Sequence, residues 1–230
     1  MTPPAERWAM GGGIAFVVLF VVAVTVGPSH LPDTTKLHTT AAIDAKVLHA
    51  YGQSGTRSAL VVGGYLFILS GLALIWFLAG VRSRLERSGE SPAVSGLAFT
   101  FGTVAAVLIM AGGGIIATIA TDLALGGEPA IHTADVARLL PQVGYPLLLL
   151  GGMLALAATI AVTTVVALRG SALPRWLGYA GWLGVAGGVF GFAFTPMILV
   201  ALWVLAVSLT GLLGGPVDRL VGVHPAATIP

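Results

Sequence analysis

The chain contains no cysteine among its 230 residues, and only 9% of them are charged. The first absence excludes disulfides and thiolate metal sites, and leaves the redox compartment unread. The second excludes an ordinary soluble surface, where about a quarter of residues carry charge. The charges present avoid the middle of every long apolar run, which argues against a proton relay, an ion path or a voltage sensor. All five histidines also lie outside those runs, so a haem held by paired intramembrane imidazoles is disfavoured. No H-E-x-x-H, H-x-x-x-H or G-x-S-x-G occurs, and no phosphate-cradling glycine loop precedes a lysine; no metal or cofactor is expected. A net charge of +2 gives no sign of a nucleic-acid partner.

What remains is apolar. Hydrophobic residues make up 57% of the chain and mean hydropathy is +0.97, which places it in the membrane class. At roughly 20 apolar residues per crossing, the runs give six spans, 8–27, 58–81, 94–119, 143–168, 176–193 and 197–213. The expected fold is an all-α membrane bundle in a single domain over 1–230. The first run lacks an A-x-A cleavage pattern and is read as a retained span. Between Trp176 and Leu213 no charge intervenes, and only Phe194-Thr195-Pro196 offers a turn. Two short spans are expected there, with a re-entrant pair as the alternative.

Lys and Arg set the orientation. Arg7, Arg82, Arg84, Arg87, Arg169, Arg175 and Arg219 fall on one side if the spans alternate, seven of eleven cations. The opposite side holds Lys36, Lys46, Arg57 and Arg138 with five of the nine carboxylates. Both termini are therefore expected in the cytoplasm of a bacterial, multi-pass plasma-membrane protein, with Trp8 and Trp176 at the inner boundary. Glycines are abundant, 32 in all. Gly184 with Gly188, Gly187 with Gly191, and Gly63, Gly64 and Gly71 suit close helix contacts. These contacts are expected within the bundle, with a homo- or hetero-oligomeric face as the alternative. The triplets 11–13 and 112–114 hint at a three-plus-three repeat.

One stretch stands apart: HTTAAIDAKVLHAYG, residues 38–52. Thr39 or Thr40 suits an N-cap, Gly52 suits the residue just past a helix, and no proline or glycine lies between. At 100° per residue Ile43, Val47, Ala50 and Tyr51 share a face while Lys46 and His49 point away. A short amphipathic helix on the outer side, between spans one and two, is expected. Asp44 breaks the pattern, falling at the edge of the apolar face. Either it complements the helix dipole, or it faces an outer cavity shared with Asp122, His132, Asp135, Arg138 and Tyr145. Arg57 is available to pair with any of these acids.

The segments RWAMGGGIAFVVLFVV, GGYLFILSGLALIWFLAGVRSRL and ALRGSALPRWLGYAGWLG together resemble a group of actinobacterial integral membrane proteins of unknown function. That resemblance implies the six-helix topology and the short outer helix, and carries no catalytic residue. The leading expectation is a module that binds a hydrophobic small molecule, membrane lipid or partner protein at an outward-facing pocket, with Tyr51, Tyr65, Arg57 and Tyr145 as ligand-binding residues. That pocket is expected to be roofed by helix 40–51 and lined by Tyr51, Tyr65, Asp122 and Tyr145. Alternatives are a small membrane enzyme of the lipid or isoprenoid cyclase/isomerase type, with Asp44 or Asp122 as catalytic proton donor, and an accessory subunit of a larger complex. A transporter comes last, for want of intramembrane charge.

Overall fold

The computed structural model describes residues 4–32, 39–126, 133–169, 173–191 and 196–213, and all regular structure among them is helical. The helices are α1 (Pro4–Val26), α2 (Thr40–Gly52), α3 (Ser54–Arg87), α4 (Pro92–Ala124), α5 (Ala134–Pro146), α6 (Met153–Arg169), α7 (Arg175–Val189) and α8 (Met197–Leu213). Four helical stretches are long and apolar enough to cross a membrane: Arg7–Val26, Ser54–Arg87, Pro92–Ala124 and Ala134–Arg169; α8 is apolar but shorter. This is the make-up of an all-α membrane protein, in which each segment satisfies its own backbone.

Six of the helices close into a ring, α1–α3–α4–α6–α7–α8 and back to α1. Each pair of neighbours runs antiparallel. Gly27, just past the end of α1, meets Gly63 of α3, while Gly12 of α1 meets Ala73; Gly64 of α3 meets Ala117 of α4, while Gly71 meets Met110. On α7, Gly178, Gly181, Gly184 and Gly188 lie in turn against Leu168, Thr164, Ile160 and Ala157 of α6. A Cβ at Gly188 would sit 2.7 Å from that of Ala157, so the backbones come as close as they do because glycine is there. Met10 packs on Gly211, and Ser208 lies against Gly13, closing the ring between α1 and α8.

Both glycine triplets have members against α3, and Gly112 lies against Gly144 and Leu148. Gly13 is seated on Phe77 and Gly113 on Phe67, whereas a Cβ at Gly11 or Gly114 would meet nothing within 4 Å. The ring's interior is filled by one apolar cluster that includes Phe67, Leu74, Phe77, Ile160 and Val204. Hydroxyls within it bond mostly to their own helices: Ser70 to the Phe67 carbonyl at 2.7 Å and Thr163 to the Thr159 carbonyl at 2.9 Å, as serine and threonine do in apolar helices.

Two segments differ from the sequence-based expectation. Residues 134–142, expected in the outer loop before a span starting at 143, are helical and belong to α5, whose N-cap Thr133 accepts from the Val136 amide at 3.4 Å. Pro141 and Pro146 lie inside it, and the chain re-registers after Pro146 through a π-helical stretch, Leu147–Gly152, into α6. A proline gives no N–H to the ladder, and a π turn accommodates the missing bond. Further, α3, with 34 residues, is about 51 Å long, so it projects beyond a ~30 Å hydrocarbon layer and meets α2 there.

Candidate functional site

At the end of the ring where α3 begins and α4 ends, α2 and α5 add a second layer with its own small core of Val47, Tyr51, Leu60, Ile116, Ile119 and Ala137. The face of α2 is the one its periodicity gives: Val47 and Tyr51 are buried, while Lys46 and His49 are exposed. Thr39 is the N-cap position, but its side chain makes no capping hydrogen bond.

Asp44, the charge at the edge of that face, accepts from Arg138 Nη1 of α5 at 3.3 Å. The other arm of the guanidinium donates to Asp135 at 3.1 Å. One arginine thus bridges an acid of its own helix and an acid of α2, which fixes α2 against α5. Tyr51 of the same helix, 4% exposed, belongs to the small core, and its hydroxyl has no hydrogen-bond partner among the described residues. Burial, with a smaller contribution from nearby Tyr145, pushes it up to about 12. Tyr145 is half-buried and packs against the same core.

Tyr65 and Asp122 lie elsewhere. They line a groove of about 450 Å³ on the outside of the ring, between α3 and α4, together with Gly64, Ile68, Gly114 and Thr118. Tyr65 is 64% exposed. Thr118 gives its proton to the Gly114 carbonyl at 2.9 Å, so toward the groove it offers oxygen lone pairs. Gly114 has no atom within 4 Å of where a Cβ would lie; the missing side chain is part of why the groove exists. Arg57 is half-buried on α3, one turn from Val61 at the groove's α2 end.

The six site residues are therefore not brought into one pocket, and α2 contributes nothing to the groove lining. Tyr51 and Tyr145 belong to the small core, Asp44 to the α2–α5 bridge, Tyr65 and Asp122 to the groove, with Arg57 at its mouth. The expectation that one pocket roofed by α2 holds Tyr51, Tyr65, Asp122 and Tyr145 is corrected: α2 seals a packed core, because its apolar face is spent on Val47 and Tyr51. Arg57 forms no ion pair with Asp44, Asp122 or Asp135 among the described residues. His38 and His132 lie outside the described residues, and no group of three or more His, Asp or Glu able to hold a metal occurs among those described.

Gly114 and Thr118 are groove residues that no motif in the sequence nominates; the signal that finds them is their i,i+4 spacing on the α4 face that also carries Asp122 and Leu125. A second groove, about 430 Å³ and nearly all apolar, runs between α1 and α8 beside Phe20, Val24, Met197 and Ala201. Compared with protein-family models, curated proteins and solved structures, the chain matches none.

Proposed function

We propose that this chain is a six-span module of the bacterial plasma membrane, with its termini in the cytoplasm, that binds a lipid or other amphiphile in an outward-facing groove between α3 and α4. The observation that carries the reading is the groove itself: an apolar floor of Val61, Ile68 and Ala117 leading to Thr118, Thr121 and Asp122 at one end. That gradient matches a molecule with a tail and a polar head, and its volume lies in the range of small-molecule sites. α7 and α8 run antiparallel between α6 and α1 along their length, which supports two short spans over a re-entrant pair. The Arg-rich end, with Arg82, Arg84, Arg87, Arg169 and Arg175, is then cytoplasmic and the α2–α5 layer external. Kinship with the actinobacterial membrane proteins that LPRWLG resembles belongs to the same proposal.

Binding is favoured over chemistry because the groove is open along the ring's outer surface, and the second acid, Asp44, is engaged by Arg138. The accessory-subunit reading has less support, since the four-residue glycine pairs of α7 are used against α6 and α8. Native mass spectrometry of the gently solubilised protein tests the reading. The wild type should retain a lipid-sized ligand that Gly114→Leu, whose Cβ meets nothing within 4 Å and whose side chain obstructs the groove, loses. Equal retention by both proteins would refute it.

A further inference from the structure

The groove carries opposite charges at one end. Asp122 lies on its lining, half-buried; it interacts within the chain, and a carboxylate has about four lone-pair directions, so others remain for a ligand. Thr118 beside it presents only lone pairs, its proton being given to Gly114. The exposed ring of Tyr65 adds an aromatic face, which attracts ammonium groups. Asp122, Thr118 and the face of Tyr65 thus accept from or attract a donor cation, while the hydroxyls of Thr121 and Tyr65 serve either sense.

Arg57 stands just beyond. Steps of 100° put it within about 40° of Val61, Gly64 and Ile68 on α3, so it continues the groove's own face by one turn. Because Gly64 lies opposite Ala117 in an antiparallel pair, Arg57 and Asp122 differ in level by about two residues, or ~3 Å. No side-chain hydrogen bond or ion pair joins Arg57 to the described residues. Its side chain leans toward the helix N-terminus, away from the membrane's middle, where a guanidinium meets phosphates.

A head of one sign is poorly served here: an anion meets Asp122, and a simple cation meets Arg57. Taking the α3–α4 groove as the amphiphile site proposed above, we infer that its occupant is a phospholipid with a zwitterionic head, the ammonium held at Asp122 and Thr118 and the phosphate at Arg57. The lining from Leu125 down to Gly114 covers about 16 Å of α4, which takes the glycerol region and the upper part of an acyl chain along Ile68 and Ala117.

Purified protein in neutral detergent, titrated with phosphatidylethanolamine, phosphatidylglycerol and diacylglycerol of identical acyl chains and followed by native mass spectrometry, tests this. The wild type should bind phosphatidylethanolamine about fivefold more tightly than either competitor, the factor that ~1 kcal/mol of charge pairing gives. Asp122→Asn should shift preference toward phosphatidylglycerol and Arg57→Gln away from it, opposite movements that simple loss of folding does not produce. Equal binding of all three lipids by the wild type, or an unchanged preference in both charge variants, overturns the head-group assignment. If Gly114→Leu still loses every lipid in that case, the groove stands and only the head group is wrong. Gly114→Leu binding like the wild type overturns the groove itself.

Discussion

Arg138 and Asp44, 94 positions apart, are joined at 3.3 Å, and this pair ties an amphipathic helix to the membrane bundle. Both side chains are about a third exposed, so the pair is worth about 0.5–1 kcal/mol. Asp44→Ala and Arg138→Ala should each accelerate hydrogen exchange of the 40–52 amides severalfold, and the double variant should add little to Arg138→Ala alone. Full additivity in that cycle would mean that the pair does not hold α2.

Tyr51 should behave as a buried hydroxyl without function. Tyr51→Phe removes an unpartnered polar atom and should leave stability unchanged or raise it by about 1 kcal/mol, read as a higher midpoint of thermal unfolding. A loss above about 1 kcal/mol would show that the hydroxyl has a partner.

The same residue gives α2 a pH dependence. The folded-state pKa is raised from 10.0 to about 12, so the native state keeps a proton that the unfolded state has lost. Its contribution is whole below pH 10 and disappears as pH rises from 10 to 12. Hydrogen-exchange protection of α2, corrected for intrinsic rate, should fall across that window in the wild type and fall less in Tyr51→Phe, where Tyr145 on the same core still titrates. A fall of the same size in Tyr51→Phe would assign the effect to another group.

Two glycines should respond in opposite ways. A Cβ at Gly188 meets Ala157 Cβ at 2.7 Å and the Met153 carbonyl at 2.9 Å, so Gly188→Ala should destabilise by about 1–3 kcal/mol. Gly114 faces open space, and Gly114→Ala should stabilise by about 0.5 kcal/mol through helix propensity. Thermal unfolding of the two variants in one detergent checks the signs.

A cysteine-free chain allows topology to be read from single cysteines. With six spans, Ser54→Cys and Phe190→Cys should react with an impermeant maleimide from outside intact cells, and Ala93→Cys only after permeabilisation. Labelling of Phe190→Cys with the cytoplasmic set would restore the re-entrant pair.

Much of the architecture was legible because its signals are local. Apolar runs gave the long helices, the four-residue glycine spacing marked α7 for close contact without naming its partner, and the 100° count gave the buried face of α2. Asp44 was legible as an anomaly, but its partner was not singled out from the other outer charges, since a contact across 94 positions leaves no periodic trace. The first part of α5 was not legible because the apolar run that marks its span starts only at 143, whereas the capping Thr133 starts the helix earlier and a π turn carries it past Pro141 and Pro146. The site residues were nominated by type and side, yet which ones meet depends on which helices are neighbours in the ring. Hence Tyr51 and Tyr145 went to a core, Tyr65 and Asp122 to a groove.

The central claim is that the α3–α4 groove selects an amphiphile from the surrounding bilayer. Photocrosslinking from p-benzoylphenylalanine at Tyr65, 64% exposed in the groove, against the same group at Trp182, 51% exposed on α7, tests it directly in native membranes. Adducts at position 65 should be dominated by one lipid class and lose that dominance in Gly114→Leu, while adducts at position 182 follow the bulk lipid composition. The same bulk-like adducts at both positions would contradict the claim.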